Sequence, residues 1–276
     1  MSGLKAPGLD WQVSQAQFLG ARERQEDALR LSTLGEGAGG WHLALVCDGM
    51  GGHEGGQQAA NLAADTFLSA VREQTMPADG KAAAAILEHG LERAVTGLSD
   101  NIAQGGPPAM GTTLAAVLVR GRDLAWISVG DSLLLHRRAR TIRRLNADHS
   151  MVPILEGLVA AGRISHDEAA QDPKRSALRS VIGAVRPALC DCQFRPGLLA
   201  PGDDLLLASD GLSTLSDPTI LAALAGPASA QTLVDKVVSS ARPYQDNASL
   251  ILMRAQGIAT GGKIGWWRRL LRRAVS

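Results

Sequence analysis

Apolar runs in this chain repeatedly end on an acid. LALVC (43–47) runs into Asp48, LAWISV into Gly130-Asp131 and LLLA into Ser209-Asp210, while Asp246-Asn247 stands just ahead of ASLILM. Short unbroken apolar runs suit strands buried on both faces. A carboxylate at the end of such a strand needs something to compensate its charge. Looser alternation predicts a first strand over Trp11–Leu19 and a partner over Ala28–Thr33, with a polar loop Gly20–Asp27 between them. Gly35–Gly40 reads as a hairpin turn into the central strand. Near Glu54 the spacing becomes helical, giving helices over Gln57–Arg72 and Gly80–Ile102, parted by Met76-Pro77. Gly105-Gly106-Pro107-Pro108 closes the second. The β rhythm returns over Thr112–Val119, Leu124–Val129, Leu133–Arg138 and Thr141–Leu145, and is lost over 151–177, which is charged and helical or irregular. Strands resume at Leu189–Phe194 and Leu205–Ala208, helices follow at Pro218–Ala225 and Ala230–Ala241, and a last strand covers Ala248–Arg254. Helices in pairs beside runs of antiparallel strands argue for an α+β fold rather than a doubly wound parallel sheet.

Composition narrows this further. The 276 residues can bury a substantial core, but only 3% are aromatic against 45% hydrophobic, so that core is built from Ala, Leu and Val. MSGLKAPGLDWQ at the N-terminus carries no apolar stretch of signal-peptide length, and no run approaches the ~18 apolar residues of a membrane span. Three cysteines, an odd number, argue against a disulfide framework and for a reducing compartment, the cytoplasm. Cys47 reads as a small buried hydrophobe, and Cys190 and Cys192 as sharing one face of a strand without the partners a zinc site needs. The net charge of +1 hides an asymmetry: residues 1–246 carry −5, and 247–276 hold six basic residues and no acid. A mildly acidic body disfavours nucleic-acid binding.

Several strand-end carboxylates on otherwise apolar strands are best explained by convergence on hard cations, which take oxygen ligands. Each motif alone has a plainer reading. Asp131 in Gly-Asp-Ser reads as a turn former, Asp246-Asn247 as a cap on the last strand's entry, and Arg22 in RERQED as an exposed salt-bridging residue. The ordered set RxxxED, DGMGG, GTT, GDS, DHS, SDG and DN, spanning Arg22 to Asn247, resembles the metal-dependent Ser/Thr phosphatases of the protein phosphatase 2C (PPM) family, bacterial stand-alone type.

The resemblance implies a four-layer α-β-β-α sandwich, two antiparallel sheets flanked by helix pairs. It implies a phosphatase domain over 1–256 with a flap insert at 151–177; past it, 257–276 reads from composition as a linker and basic amphipathic tail. It also implies two Mn²⁺ or Mg²⁺ ions, with a third at a weaker site. By resemblance Asp48 bridges both ions, Asp210 and Asp246 complete the first, and the carbonyl of Gly49 joins the second. Glu26 reaches that second ion through water, with Asp27 supporting it. Asp131 with Asp210 matches the third site, and Arg22 matches the phosphate-binding arginine, whose planar fork suits two phosphoryl oxygens. Asp148-His149-Ser150 is given a structural role at the flap's entrance, because three chain neighbours cannot converge on one atom. Thr112 and Thr113 are expected to pack and hydrogen-bond beside the metal-bearing strands. Two departures stand out: Gln25 where many members have Asn, and Met50 where eukaryotic members carry a histidine proposed as general acid. His53 is nearby in sequence.

The implied activity is hydrolysis of phosphoserine and phosphothreonine in proteins, opposing a bacterial Ser/Thr kinase, by a monomeric enzyme. The alternatives are a pseudophosphatase that binds phosphoproteins and a phosphatase for a small phosphorylated metabolite. Arg137, Arg138, Arg140, Arg143 and Arg144 read as a solvated face of a hairpin, or else a docking surface for acidic phosphoproteins. Past the motifs, Trp266–Val275 places Trp and Leu on one half of a helical wheel and four arginines on the other, at ~100° per residue. That composition suits peripheral contact with an anionic membrane surface at its cytoplasmic face. A helix docked on the domain and a protein partner are the other readings.

Overall fold

The computed structural model describes residues 9–35, 40–51, 55–77 and 80–257. Five strands, β1 (Leu9–Phe18), β11 (Ala248–Gly257), β10 (Asp204–Ala208), β7 (Leu133–Arg138) and β8 (Thr141–Arg144), form one sheet in that spatial order. The second sheet runs β2 (Asp27–Leu34), β3 (Trp41–Met50), β5 (Leu114–Arg120), β6 (Asp123–Val129) and β9 (Asp191–Arg195), with the two-residue β4 (Gly111–Thr112) on the end of β3. All these pairings are antiparallel.

The period-two pattern gives each sheet two apolar faces, and three core layers result. Ala44, Val46, Val117, Trp126, Leu205, Leu207 and Ile251 pack between the sheets. The outer face of the β3 sheet, through Leu43, Leu45, Ala116 and Ile127, meets α1 (Gly55–Arg72) and α2 (Lys81–Ala103). These helices present Ala59, Ala63, Phe67, Leu87, Leu91 and Leu98 at helical spacing, and alanine at these positions lets helix and sheet approach closely. Leu206, Leu250 and Leu252 on the other outer face meet α5 (Asp217–Leu224) and α6 (Ala230–Ser239). The architecture is therefore α-β-β-α, each fully buried leucine contributing on the order of 2 kcal/mol.

Segment 151–177 forms two short helices, α3 (Val152–Ala160) and α4 (His166–Gln171). Its ends are joined where Met151 N donates to Ala177 O at 3.0 Å. Ser165 caps α4 by a reciprocal pair of bonds with Glu168. Among the described residues no helix is long and apolar enough to cross a membrane.

Three expectations need correction. The strand expected over Thr112–Val119 is broken at Thr113, although its register against β3 continues unchanged across the break. Cys190 precedes β9, so it does not share a strand face with Cys192. The arginine-rich hairpin is no simple solvated face, because Arg137 and Arg138 are bound to the buried Asp204 and Asp203. The turn residues 36–39, His53 and the tail 258–276 lie outside the described residues.

Candidate active site

The ends of both sheets bring the strand-end acids together. Asp48 is the eighth residue of β3 and pairs across the ladder with Asp27 of β2. Its backbone is fixed by the two threonines. Asp48 N donates to Thr113 Oγ1 at 3.0 Å, and Asp48 O accepts from Thr113 N at 2.9 Å and Thr112 Oγ1 at 2.9 Å. A hydroxyl here replaces a carbonyl in the ladder, which is why the strand breaks at Thr113 without slipping. Thr113 Oγ1 also lies 2.7 Å from Ser132 Oγ, tying Asp48 to the turn that carries Asp131. Gly49 is required beyond it: a Cβ there would sit 2.0 Å from Gly56 O and 2.7 Å from Glu26 O.

The loop between β1 and β2 is held from the far end of the chain. Asn247 Nδ2 donates to Leu19 O (2.7 Å) and Arg24 O (3.1 Å), while its Oδ1 accepts from Glu26 N (2.8 Å). Ala21 N donates to Gln245 O at 2.7 Å. Gly20, at φ +65°, passes so close that a Cβ would lie 2.3 Å from Gln245 O. This clamp sets Arg22 against Asp246, with Arg22 Nη2 donating to Asp246 Oδ2 at 2.6 Å. Glu26 turns the other way, its carboxylate beside Gly56 in the first turn of α1, the end of a helix that favours negative charge. Gln25 Oε1 accepts from Asp27 N at 3.1 Å.

Asp27 is 4% exposed and accepts from Ser209 Oγ at 2.8 Å. Burial drives its carboxyl up to about 6 against the help of Ser249 and Ser209. Asp48 is pushed well above the ordinary carboxylate range by burial, and then by Asp27, Asp210, Asp131 and Asp246 in turn. Asp131 is raised to about 6 by burial and then by Asp210 and Asp148. Asp210, opening a 3₁₀ turn over Asp210–Thr214, is raised by burial and Asp246, with Arg22 working in the opposite direction. Acids that raise one another this way are short of positive charge.

Every predicted site residue thus belongs to one neighbourhood, though the acids are not drawn tight. Among the described residues no three His, Cys, Asp or Glu side chains close into a ready coordination shell, and Asp246 is turned to Arg22. The acids gathered here, Asp48, Asp131, Asp210 and Asp246, offer a cation carboxylate oxygens, a set that fits Mg²⁺ or Mn²⁺ and not a thiolate or imidazole metal. His149 is elsewhere engaged, its Nδ1 accepting from Gly130 N at 3.2 Å. Met50 is half-exposed at the end of β3.

Asn247, Ser209 and Ser249 have structural duties that sequence reasoning missed. The first two lay inside the DN and SDG motifs, where the acid alone drew the reading.

A sequence model described as protein phosphatase 2C matches residues 19–253. The serine/threonine phosphatase Stp of Listeria welshimeri is 28% identical over 219 residues, covering 76% of this chain and 83% of that protein. The serine/threonine phosphatase of S. agalactiae superposes with a TM-score of 0.77 at 26% identity, over 89% of this chain and 99% of that one. The catalytic domain of the phosphatase PstP, in complex with 2 manganese ions, gives a TM-score of 0.71 at 26% identity over 90% and 99% of the two chains.

Proposed function

The chain belongs to the protein phosphatase 2C family, and from that premise we propose that it is a divalent-metal-dependent phosphatase of phosphoserine and phosphothreonine in proteins. The observation that carries the site assignment is the meeting of strand-end acids: Asp48 lies across the ladder from Asp27 and is tied through Thr113 and Ser132 to the turn of Asp131, and Asp48 and Asp131 are both raised by Asp210. Asp48, Asp210, Asp246 and the Gly49 carbonyl would hold two ions, Mn²⁺ or Mg²⁺, and Asp131 with Asp210 a third. Such ions supply charge neutralisation for phosphoryl oxygens and a water of lowered pKa. Arg22, half-exposed and paired with Asp246, offers a planar fork to two phosphoryl oxygens. Glu26 and Asp27 orient water around the cluster, Asp27 from its fixed seat on Ser209. Met50 has no proton to give, so the leaving alkoxide takes its proton from water or from another group.

The domain that does this is 1–256, with the flap at 151–177. It works as a monomer on phosphoproteins, against a Ser/Thr kinase, in the cytoplasm. The wheel of Trp266–Val275 supports a peripheral contact with anionic lipid, tested by vesicle co-sedimentation of the full chain against a version ending at Gly262. The functional reading is tested by assaying phosphothreonine peptide, phosphotyrosine peptide and small phosphate monoesters after chelation and after adding back Mn²⁺ or Mg²⁺. Metal-restored turnover of the phosphothreonine peptide is expected. Turnover confined to small monoesters would move the reading to a metabolite phosphatase, and none on any substrate to a phosphoprotein-binding module.

A further inference from the structure

Among the described residues each sheet ends on a strand with no further partner, β8 in one and β9 in the other, and the two line one groove at the same side of the sandwich. The side-chain alternation of each says what faces the gap. On β9, Cys192 and Phe194 pack toward the helices α1 and α2, so Gln193 and Arg195 point inward. On β8, Ile142 packs toward the outer helices and Leu145, just past the strand, toward the inter-sheet core, so Arg143 points inward too. Between them lies a groove of about 400 Å³ whose lining includes Trp126, Arg143, Leu145, Gln193, Arg195 and Leu198.

The charges here are unlike three others on the hairpin. Arg137, Arg138 and Arg144 each hold a carboxylate: Asp204, Asp203 and Asp148. Among the described residues Arg143 and Arg195 have no acid partner, and Arg195 Nη2 donates only to the neutral Gln193 Oε1, at 2.7 Å. The acid on the same face of β9, Asp191, is occupied by Trp126 Nε1, Ala147 N and Gln193 Nε2 at 2.9–3.0 Å. Among the described residues the groove therefore offers two guanidiniums without an acid partner, the half-buried Leu145 and Leu198, and two strand edges with no partner strand. Arg144, which also lines it, donates to Asp131 O at 2.7 Å and so joins the groove to the acidic site.

We propose that this groove docks an extended acidic segment of the phosphoprotein substrate, its carboxylates between Arg143 and Arg195 and its apolar side chains over the half-buried Leu145 and Leu198. The word substrate rests on the phosphatase reading; the docking itself does not. Inward charges on edge strands also discourage sheet-to-sheet association, but that role is served by either sign of charge, whereas docking an acidic segment needs the positive one.

The test uses the full chain in chelator, so that no bound metal can attract carboxylates, and a fluorescein-labelled peptide of alternating Glu and Val, followed by anisotropy at low salt. Saturable binding that weakens with added salt is expected. R143E/R195E should weaken it about tenfold or more, R143K/R195K should retain it within about threefold, and R163E/R186E, an equal charge change elsewhere on the surface, should cost about twofold at most. If far-UV circular dichroism shows R143E/R195E unfolded, R143Q/R195Q replaces it with a loss of about threefold or more. The proposal is overturned by an absence of saturable binding to the wild type, or by R143E/R195E losing no more than R163E/R186E. No turnover enters the measurement, so failure of docking and failure of the phosphatase reading are seen separately.

Discussion

Strand β10 has buried aspartates at its start and a half-buried one just past its other end, and the two ends treat them oppositely. At its start Asp204 is fully buried, yet it receives Arg137 and also Arg254, whose Nε lies 2.8 Å away. Asp203 beside it receives Arg138 and His136. Just past the other end Asp210 faces Asp246 and Asp48, and among the charged groups named there Arg22 opposes the repulsion, helped by a hydrogen bond from Gly211 N. The chain could compensate a buried carboxylate and did so where stability was at stake. Where it left the charge unmet, the deficit is available to a cation, and the fold bears the strain.

The largest effects should come from removing the charge at the uncompensated end. Asp48→Asn or Asp210→Asn keeps the shape and deletes the charge. We expect phosphopeptide turnover to fall about 10³-fold or more at saturating Mn²⁺. In chelator the same variants should melt at or above the wild-type temperature, since a repelling acid has gone. Substantial turnover in either variant would break the comparison at its functional end.

At the compensated end the signs reverse. Asp204→Ala leaves the part-buried Arg137 and Arg254 without their partner, and breaking such a cluster costs up to about 3–5 kcal/mol. The melting temperature should drop by roughly 10 °C, while turnover per folded molecule stays near wild type. A variant that melts normally would mean the guanidiniums find water or carbonyls instead; Arg254 already donates to Leu224 O and Gly226 O.

The two ends should also answer pH in opposite directions. Burial alone would raise Asp203, but Arg138, His136 and Ala200 N outweigh it and hold the carboxyl below its ordinary value. Its stabilisation is complete above the unfolded pKa of about 3.9 and is lost as pH falls through the lower folded value. Asp27 and Asp131, each raised to about 6, impose a cost that is full above about 6 and relieved as pH falls towards about 4. In chelator, thermal stability should therefore rise from neutrality to about pH 5 and fall below about pH 4. Asp131→Asn should flatten the upper limb and spare the lower. A steady decline from neutrality downward would sink the assignment.

How legible these two ends were differed for a physical reason. A carboxylate closing an apolar run is conspicuous in one dimension, so Asp48, Asp131 and Asp210 could be singled out from local pattern. The arginine hairpin looked solvated because the partners of Arg137 and Arg138, Asp204 and Asp203, lie 67 and 65 residues away in the chain. Pairing at that distance leaves no local trace. The same holds for β1 against β11, the first and last strands, and for Asn247 reaching back over more than two hundred residues to clamp the loop of Arg22. The break at Thr113 was hidden too, because it arises from a hydroxyl of one strand bonding the backbone of another.

The smallest expected effect on stability belongs to Arg22, the residue that connects the two logics. It pairs with Asp246 at 2.6 Å, but both side chains are exposed, at 53% and 41%. An exposed pair of this kind contributes about 0–1 kcal/mol, so Arg22→Ala should scarcely move the melting temperature, in contrast to Asp204→Ala. Its effect should appear in binding. If the guanidinium holds phosphate alike in ground and transition states, KM for a phosphopeptide rises several-fold and kcat changes less. Removing it also frees Asp246, so calorimetry of Mn²⁺ binding without substrate should show affinity held or increased. A loss of metal affinity would mean that Arg22 orients Asp246 towards the ion rather than competing for it. An unchanged KM would remove it from the phosphate site.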